Sequence, residues 1–133
     1  MISKINHIGI AVKSLEEQIP FYRDILQLEF EGTEEVPDQK VKVAMFRIGE
    51  IRMELLEPTD ANSPIAKFID RKGQGLHHIA YDTNNIKEEI NKAQEKGIRM
   101  IDKTPRDGAH NTRIAFMHPK STGKVLTEIC QKK

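Results

Sequence analysis

The sequence predicts an α+β fold in which one βαβββ module is used twice in one chain. Two observations carry that expectation: an internal repeat, and the same order of strand-like and helix-like segments in both copies. His7-Ile8-Gly9-Ile10 is matched 71 residues later by His78-Ile79-Ala80-Tyr81. The same offset pairs Leu15 with Ile86, Ile19 with Ile90 and Phe30 with Ile101, and sets Val43-Ala44-Met45-Phe46 against Ile114-Ala115-Phe116-Met117. The second copy then runs three residues longer, so Glu54 matches Glu128 at an offset of 74. Self-similarity of this kind reports architecture before any local assignment does. The expected organisation is one domain over 1–133, with module 1 at about 1–61, a linker at about 62–75 and module 2 at about 76–133, a length that fits a single domain.

Each module opens with a short β-branched, apolar strand, Ile5 to Val12 in the first and His77 to Asp82 in the second. A helix follows. Ser14 stands three residues before Glu17, and Asn85 three before Glu88, which is the spacing of a capping box. Leu15, Ile19, Tyr22 and Leu26 then recur at helical spacing, as do Ile86, Ile90 and Ala93. Pro20 removes a backbone hydrogen bond inside the first helix and is expected to bend it. Gly97 after Lys96 is a helix stop. Three strands close each module: Glu29 to Val36, Val41 to Ile48 and Ile51 to Glu57, then Arg99 to Lys103, Thr112 to His118 and Lys124 to Cys130.

Composition narrows the class of function. Lys and Arg total 21 against 20 Asp and Glu, a formal charge of +1 with a pI near 7.9. That balance carries no electrostatic footprint for nucleic acid or an anionic membrane surface. One cysteine excludes an intrachain disulfide and fits a reducing compartment. No apolar stretch has the length of a signal peptide core or a membrane span. A cytoplasmic protein with a small-molecule ligand is the expectation.

Strand parity sorts the candidate site residues, because successive side chains alternate between faces. Ile8, Ile10 and Val12 share the face that packs on the helix, and His7 lies opposite with Gly9 and Ala11. Ile79 and Tyr81 take the helix side in the second module, which puts His78 with Ala80. Glu54 sits within Met53-Glu54-Leu55-Leu56 and Glu128 within Leu126-Thr127-Glu128-Ile129. An ionised carboxylate in an apolar strand is costly unless it is paired or bound to a cation. Singly, each of the four reads as a packing or solvated residue. At matched positions in both copies, two imidazoles and two carboxylates read as a mixed N/O site for a divalent ion. His77, His110 and His118 lack that pairing and read as loop or packing residues. Cys130 shares a face with Glu128 but has no partner that marks a nucleophile.

Paired βαβββ modules with these four positions resemble the vicinal oxygen chelate superfamily over essentially the whole chain. That group includes glyoxalase I, extradiol dioxygenases, antibiotic-resistance proteins and methylmalonyl-CoA epimerases. The strings NHIGIAV, FYRDIL, MELLEP, SPIAKF, GLHHIAYD and HPKSTGKVLTEI, in that order, resemble the epimerase family, SPIAKF and HPK with VLTE being the more specific. The resemblance implies a glyoxalase-like domain with a metal site in a curved sheet, held by His7, Glu54, His78 and Glu128. It implies one divalent ion, Co2+ first, with Zn2+, Ni2+, Mn2+ and Mg2+ as alternatives. It also implies an acyl-CoA substrate epimerised by proton transfer at C2, and a homodimer. Surface cations at Lys120 and Arg113, with Arg106, are the candidates for the CoA tail.

Two departures from the family stand out. Some epimerases carry Gln at the Glu54 position, and some carry a proton-transferring Glu where this chain has Val43. Valine transfers no proton, so the acid/base pair expected here is Glu128 with Glu54. Asp38 and His110 are secondary candidates for that role. A glyoxalase I-type isomerase is the alternative. A dioxygenase fits less well, because it needs open positions around a three-ligand iron site. A drug-binding, resistance-type protein needs no ligand set at all.

Overall fold

The computed structural model describes every residue, Met1–Lys133. It resolves two compact units, His7–His77 and Met1–Asn6 with His78–Lys133. Each unit carries most of one βαβββ series.

The first series runs β1 (Ile2–Ala11), α1 (Leu15–Pro20), β2 (Glu29–Val36), β3 (Val41–Ile48) and β4 (Ile51–Pro58), followed by α2 (Pro64–Lys72). The strand order is β2-β3-β4-β1. β3 runs antiparallel to both its neighbours, while β1 lies parallel to β4. One face of these strands carries Val12, Ala44, Phe46 and Leu55, which pack with Leu15, Ile19 and Tyr22 of the helical segment. Phe46 is the centre of that layer, its ring 5.6 Å from Tyr22 and 5.1 Å from Phe30.

The start of α1 is fixed twice. The Ser14 side chain accepts from the Glu17 N–H, and Glu57 at the far end of β4 accepts from the Leu15 N–H at 2.9 Å. These bonds satisfy donors that a helix leaves orphaned in its first turn. The expected bend at Pro20 takes the form of a wider turn over Phe21–Ile25, where the Leu26 N–H reaches back five residues to the Phe21 carbonyl at 2.9 Å. Most of the segment expected as linker at 62–75 is α2, with Pro64 in its first turn and the buried Ser63 hydroxyl accepting from the Ile65 N–H at 3.1 Å.

The second series runs β5 (Gly75–Thr83), α3 (Ile86–Glu95), β6 (Arg106–Gly108), β7 (Thr112–Met117) and β8 (Thr127–Lys132), in the order β5-β8-β7-β6. Ile86, Ile90 and Ala93 of α3 pack with Met100, Ala115 and Ile129. Asn85 Oδ1 accepts from the Glu88 N–H, and Glu88 accepts in return from the Asn85 side-chain amide, while the Asn85 backbone N–H goes to Thr83. Gln131, which the repeat equates with Glu57, accepts from the Ile86 N–H at 2.8 Å. The helix closes with Gly97 at φ 83°. There the Ile98 N–H bonds to the Ala93 carbonyl and the Gly97 N–H to the Gln94 carbonyl, the two bonds of a Schellman motif.

Two boundaries differ from expectation, each for a local reason. Arg99 to Lys103 makes only one bridge, Met100 to Met117. The Asp102 carboxylate takes the Phe116 N–H at 2.9 Å, a bond that a strand carbonyl would otherwise accept, and ordered pairing resumes only at Arg106. β8 begins at Thr127 rather than Lys124, because Gly123 and Lys124 both adopt positive φ (66° and 70°) and cannot extend a strand.

Register along β2 slips between Phe30 and Gly32, leaving Glu31 as a bulged residue. Its carboxylate meets Arg52 Nε at 2.7 Å and Arg47 Nε at 3.1 Å. Burial pushes the Glu31 carboxyl up, but the two guanidiniums outweigh it and hold the group below the usual carboxylate range. A depressed carboxyl pKa contributes stability that is present above the unfolded value and is lost as pH falls through the folded value. Glu31→Gln is therefore expected to cost about 1–2 kcal/mol at neutral pH, between an exposed pair and a fully buried one. The gap in thermal midpoint between variant and parent should begin to narrow below about pH 4, near the unfolded carboxylate pKa, and be gone once pH is below the depressed folded value. A gap that is independent of pH would assign the loss to packing.

Candidate functional site

In the first unit His7 lies on β1 and Glu54 on its parallel neighbour β4, where Gly9 is the residue directly opposite Glu54. In the second unit His78 lies on β5 and Glu128 on its parallel neighbour β8, where Ala80 is directly opposite Glu128. The histidine therefore precedes the residue facing the carboxylate by two positions in both units. That is the diagonal at which same-face side chains meet. His7 Nδ1 is 3.4 Å from Glu54 Oε2, and His78 Nε2 is 3.1 Å from Glu128 Oε1. All four residues are only 3–6% exposed.

The faces follow from the cores. Met53 and Leu55 turn toward α1, which leaves Arg52, Glu54 and Leu56 on the other face with His7. Ala115 and Ile129 turn toward α3, which leaves Phe116, Ile114, Glu128 and Cys130 on the other face with His78. Cys130 Sγ lies 2.8 Å from Glu128 Oε2, and the Phe116 ring stands edge-on to the His78 imidazole at 5.4 Å. The glutamate thus has one oxygen against the imidazole and the other against the thiol.

The donor set fits a divalent ion. Two ligand atoms held about 2.1 Å from one ion are about 3.0 Å apart in octahedral and about 3.4 Å apart in tetrahedral geometry. The 3.1 and 3.4 Å separations fall in that range. Imidazole and carboxylate are the donors that suit borderline and hard divalent ions. A bound cation also relieves the cost of burying a carboxylate.

Each unit thus brings one predicted histidine to one predicted glutamate. Val43 is buried on β3, on the same face as Glu54: Met45 is the residue opposite Glu54, and Val43 is opposite Leu56. A carboxylate at position 43 would have faced the same side. His77 packs edge-on against Phe68 of α2 at 4.9 Å, and His118 caps the short turn at Pro119 by accepting the Lys120 N–H. Asp38 is exposed in a turn after β2, and His110 is exposed at the β6–β7 turn with φ 58°.

The candidate cations lie elsewhere. Lys120 is exposed in its turn. Arg113 is exposed opposite Gln131, on the β7 face away from Glu128, with its Nε 3.9 Å from Asp107. Arg106 does share the Glu128 face. It stands opposite Ile114, with its guanidinium 5.9 Å from the Phe116 ring centroid and Nε 3.1 Å from Asp102. Arg52 and Arg47 on the Glu54 face escaped the sequence reading, although parity alone places Arg52 two residues from Glu54.

This fold and site define a class. Residues 6–116 match the glyoxalase/bleomycin resistance protein/dioxygenase superfamily model, and the chain belongs to that superfamily, with the glyoxalase-like α+β fold. Within it the chain belongs to the methylmalonyl-CoA epimerase family and is accordingly an isomerase. It is 36% identical to the mitochondrial methylmalonyl-CoA epimerase of Homo sapiens over 98% of this chain and 74% of that one. A solved methylmalonyl-CoA epimerase in complex with methylmalonyl-CoA and NH4+ is 36% identical with a TM-score of 0.96, covering 99% of this chain and 96% of that one. An uncharacterized protein of Bacillus subtilis (strain 168) is 42% identical over 99% of this chain and 94% of its own. No helix is long and apolar enough to cross a membrane.

Two buried carboxylates should make the metal-free protein less stable than their neutral isosteres would. In chelator, Glu54→Gln and Glu128→Gln are each expected to raise the urea midpoint, corresponding to about 1 kcal/mol of unfolding free energy, because an amide is cheaper to bury than an ionised carboxyl. A lowered midpoint would mean that the neighbouring imidazole and thiol already compensate the charge.

Proposed function

We propose that this isomerase epimerises C2 of methylmalonyl-CoA, with His7, Glu54, His78 and Glu128 as ligands of one divalent ion and with Glu128 and Glu54 as the proton-transfer pair. The observation that carries the reading is the same buried histidine–glutamate pair, in the same register, in both halves of a chain that belongs to this family. The substrate is argued from the relatives, one of which is solved with methylmalonyl-CoA bound. Co2+ is the expected ion, with Zn2+, Ni2+, Mn2+ and Mg2+ as alternatives. The protein is read as a cytoplasmic homodimer, which light scattering tests directly.

Removal of the C2 proton sends negative charge onto the thioester and carboxylate oxygens. A bound divalent ion supplies Lewis-acid stabilisation of that charge, worth several kcal/mol. The protein's own task is to present a base to one face of C2 and an acid to the other. Glu128, braced by His78 and Cys130, takes the proton of one epimer. Glu54, its equivalent in the first half and braced by His7, delivers a proton to the opposite face. The reverse reaction exchanges their roles, and solvent resets the protonation of the pair. Val43 takes no part, so the carboxylate at position 54 carries the function that other members place on β3.

Each carboxylate serves one face, so single variants should separate exchange from epimerisation. In D2O the parent is expected to incorporate deuterium at C2 and scramble its stereochemistry in a metal-dependent way. Glu54→Gln should lose epimerisation by about 10²–10⁴-fold, the usual contribution of a positioned acid or base, yet still exchange the proton of the one epimer that Glu128 reaches. Glu128→Gln should show the mirror pattern with the other epimer. Unchanged epimerisation by Glu54→Gln with metal bound would remove Glu54 from the mechanism. Metal binding without any C2 exchange would shift the substrate to a glutathione hemithioacetal, the glyoxalase I-type reaction that paired carboxylates also suit.

A second prediction concerns the ion itself. Co2+ at 100-fold its Kd should stabilise the folded parent by about 2.7 kcal/mol, read as a rise in thermal midpoint. His78→Gln, which keeps a hydrogen-bonding side chain beside Glu128, should abolish most of that rise.

A further inference from the structure

One buried group in the second unit takes no chemical part in the reaction above: the thiol of Cys130, the single cysteine of the chain. It is 0% exposed and lies two residues beyond Glu128 on β8, opposite Ile114 on β7. The repeat supplies a comparison. At the same offset of 74 the first unit has Leu56, two residues beyond Glu54 and opposite Val43, the counterpart of Ile114. A leucine therefore fills this place in the equivalent ladder, and packing alone does not call for a thiol. Cys130 packs with Ala80, Ile114, Phe116 and Leu126, and among these side chains only the thiol can donate a hydrogen bond. It donates to Glu128 Oε2 at 2.8 Å, while Oε1 lies 3.1 Å from His78 Nε2.

The last torsion of a glutamate is broad and roughly two-fold, so a contact on one oxygen leaves the carboxylate plane free to turn. Contacts on both oxygens fix it. We propose that Cys130 is a positioning residue for Glu128: its S–H group, donating to Oε2 while the imidazole lies against Oε1, locks the carboxylate plane in the orientation from which it exchanges a proton with C2. The inference rests on the reading of Glu128 as a proton-transfer residue. No bond is made or broken at sulfur. Leu56 donates no hydrogen bond to Glu54 from the equivalent place, so the effect is confined to the epimer that Glu128 serves. Proton transfer depends on such alignment, because a small misplacement of a reacting group is enough to cost rate.

Two readouts test this. Because the chain has one cysteine, its S–H stretching band in the infrared is assignable without labelling. Glu128→Gln should move that band to higher frequency, since a neutral amide accepts more weakly than a carboxylate. A band that ignores the substitution overturns the hydrogen bond. Cys130→Ala should lower kcat for epimerisation about 10-fold with KM retained, the low end for a lost hydrogen bond to a charged group because a thiol is a weak donor. Cys130→Ser, which restores a donor, should recover most of it. In Glu54→Gln, whose C2 exchange in D2O reports Glu128 alone, adding Cys130→Ala should slow deuterium incorporation by the same factor. In Glu128→Gln, whose exchange reports Glu54, it should change nothing. Equal slowing in both backgrounds, or no recovery with serine, overturns the proposal and assigns Cys130 to packing. The band is read without substrate, so failure of the epimerase reading, seen as absent exchange in the parent, stays separate from failure of this bond.

Discussion

A buried carboxylate in the middle of an apolar strand is the constraint on which the rest of each unit depends. Glu54 and Glu128 are almost fully enclosed, the first between Met53 and Leu55 and the second between Thr127 and Ile129. Ionised and uncompensated, such a group would shift its protonation or unfold its surroundings. Each unit answers in the same way, by running a parallel strand alongside so that a histidine two positions before the facing residue reaches the carboxylate. Gly9 and Ala80, the residues that directly face the glutamates, are small. A large side chain at either position would stand where the imidazole now meets the carboxylate.

Parallel pairing needs a crossover, and that explains why each helix lies where it does. α1 and α3 connect strands that are not hydrogen-bonded neighbours, and each must be seated on the face opposite the histidine. The strand that carries the glutamate does part of this seating itself. Three residues beyond Glu54, Glu57 takes the first N–H of α1, and three beyond Glu128, Gln131 takes the first N–H of α3. One short stretch of β4 or β8 thus places a carboxylate on one face and the helix start on the other. A slip of register by one residue would lose both at once.

Legibility in the sequence follows the same logic. The repeat and the strand parity were readable because both are periodic, and β2 and β3 lie where their alternation put them. Within each unit the histidine that parity selects lies against the glutamate that the repeat selects. What escaped were the places where a side chain replaces a backbone partner. Asp102 substitutes for a ladder carbonyl and dissolves the strand expected at Arg99 to Lys103. Glu31 occupies a bulge, which shifts the face of what precedes it on β2 and hides from alternation the carboxylate that joins Arg47 and Arg52. α2 was missed because the segment between the modules was defined by what the repeat left over, although Ser63-Pro64 is a helix start in its own right.

Val43 and Glu54 are best understood together. Position 43 faces the same side of the sheet as position 54, two residue pairs further along the β3–β4 ladder. This chain places one carboxylate on that face, at position 54, with valine at position 43. A carboxylate at both positions would add like-charge repulsion in a dry environment, and a carboxylate at neither would leave the face without a proton carrier. Moving the charge to β4 brings it against His7 and into the position that the repeat assigns to Glu128. The two halves become chemically alike, a histidine against a glutamate in each. On the proposed reading, in which Glu54 and Glu128 are the proton-transfer pair, that likeness favours symmetric proton traffic, with either glutamate beginning the reaction according to the epimer that arrives.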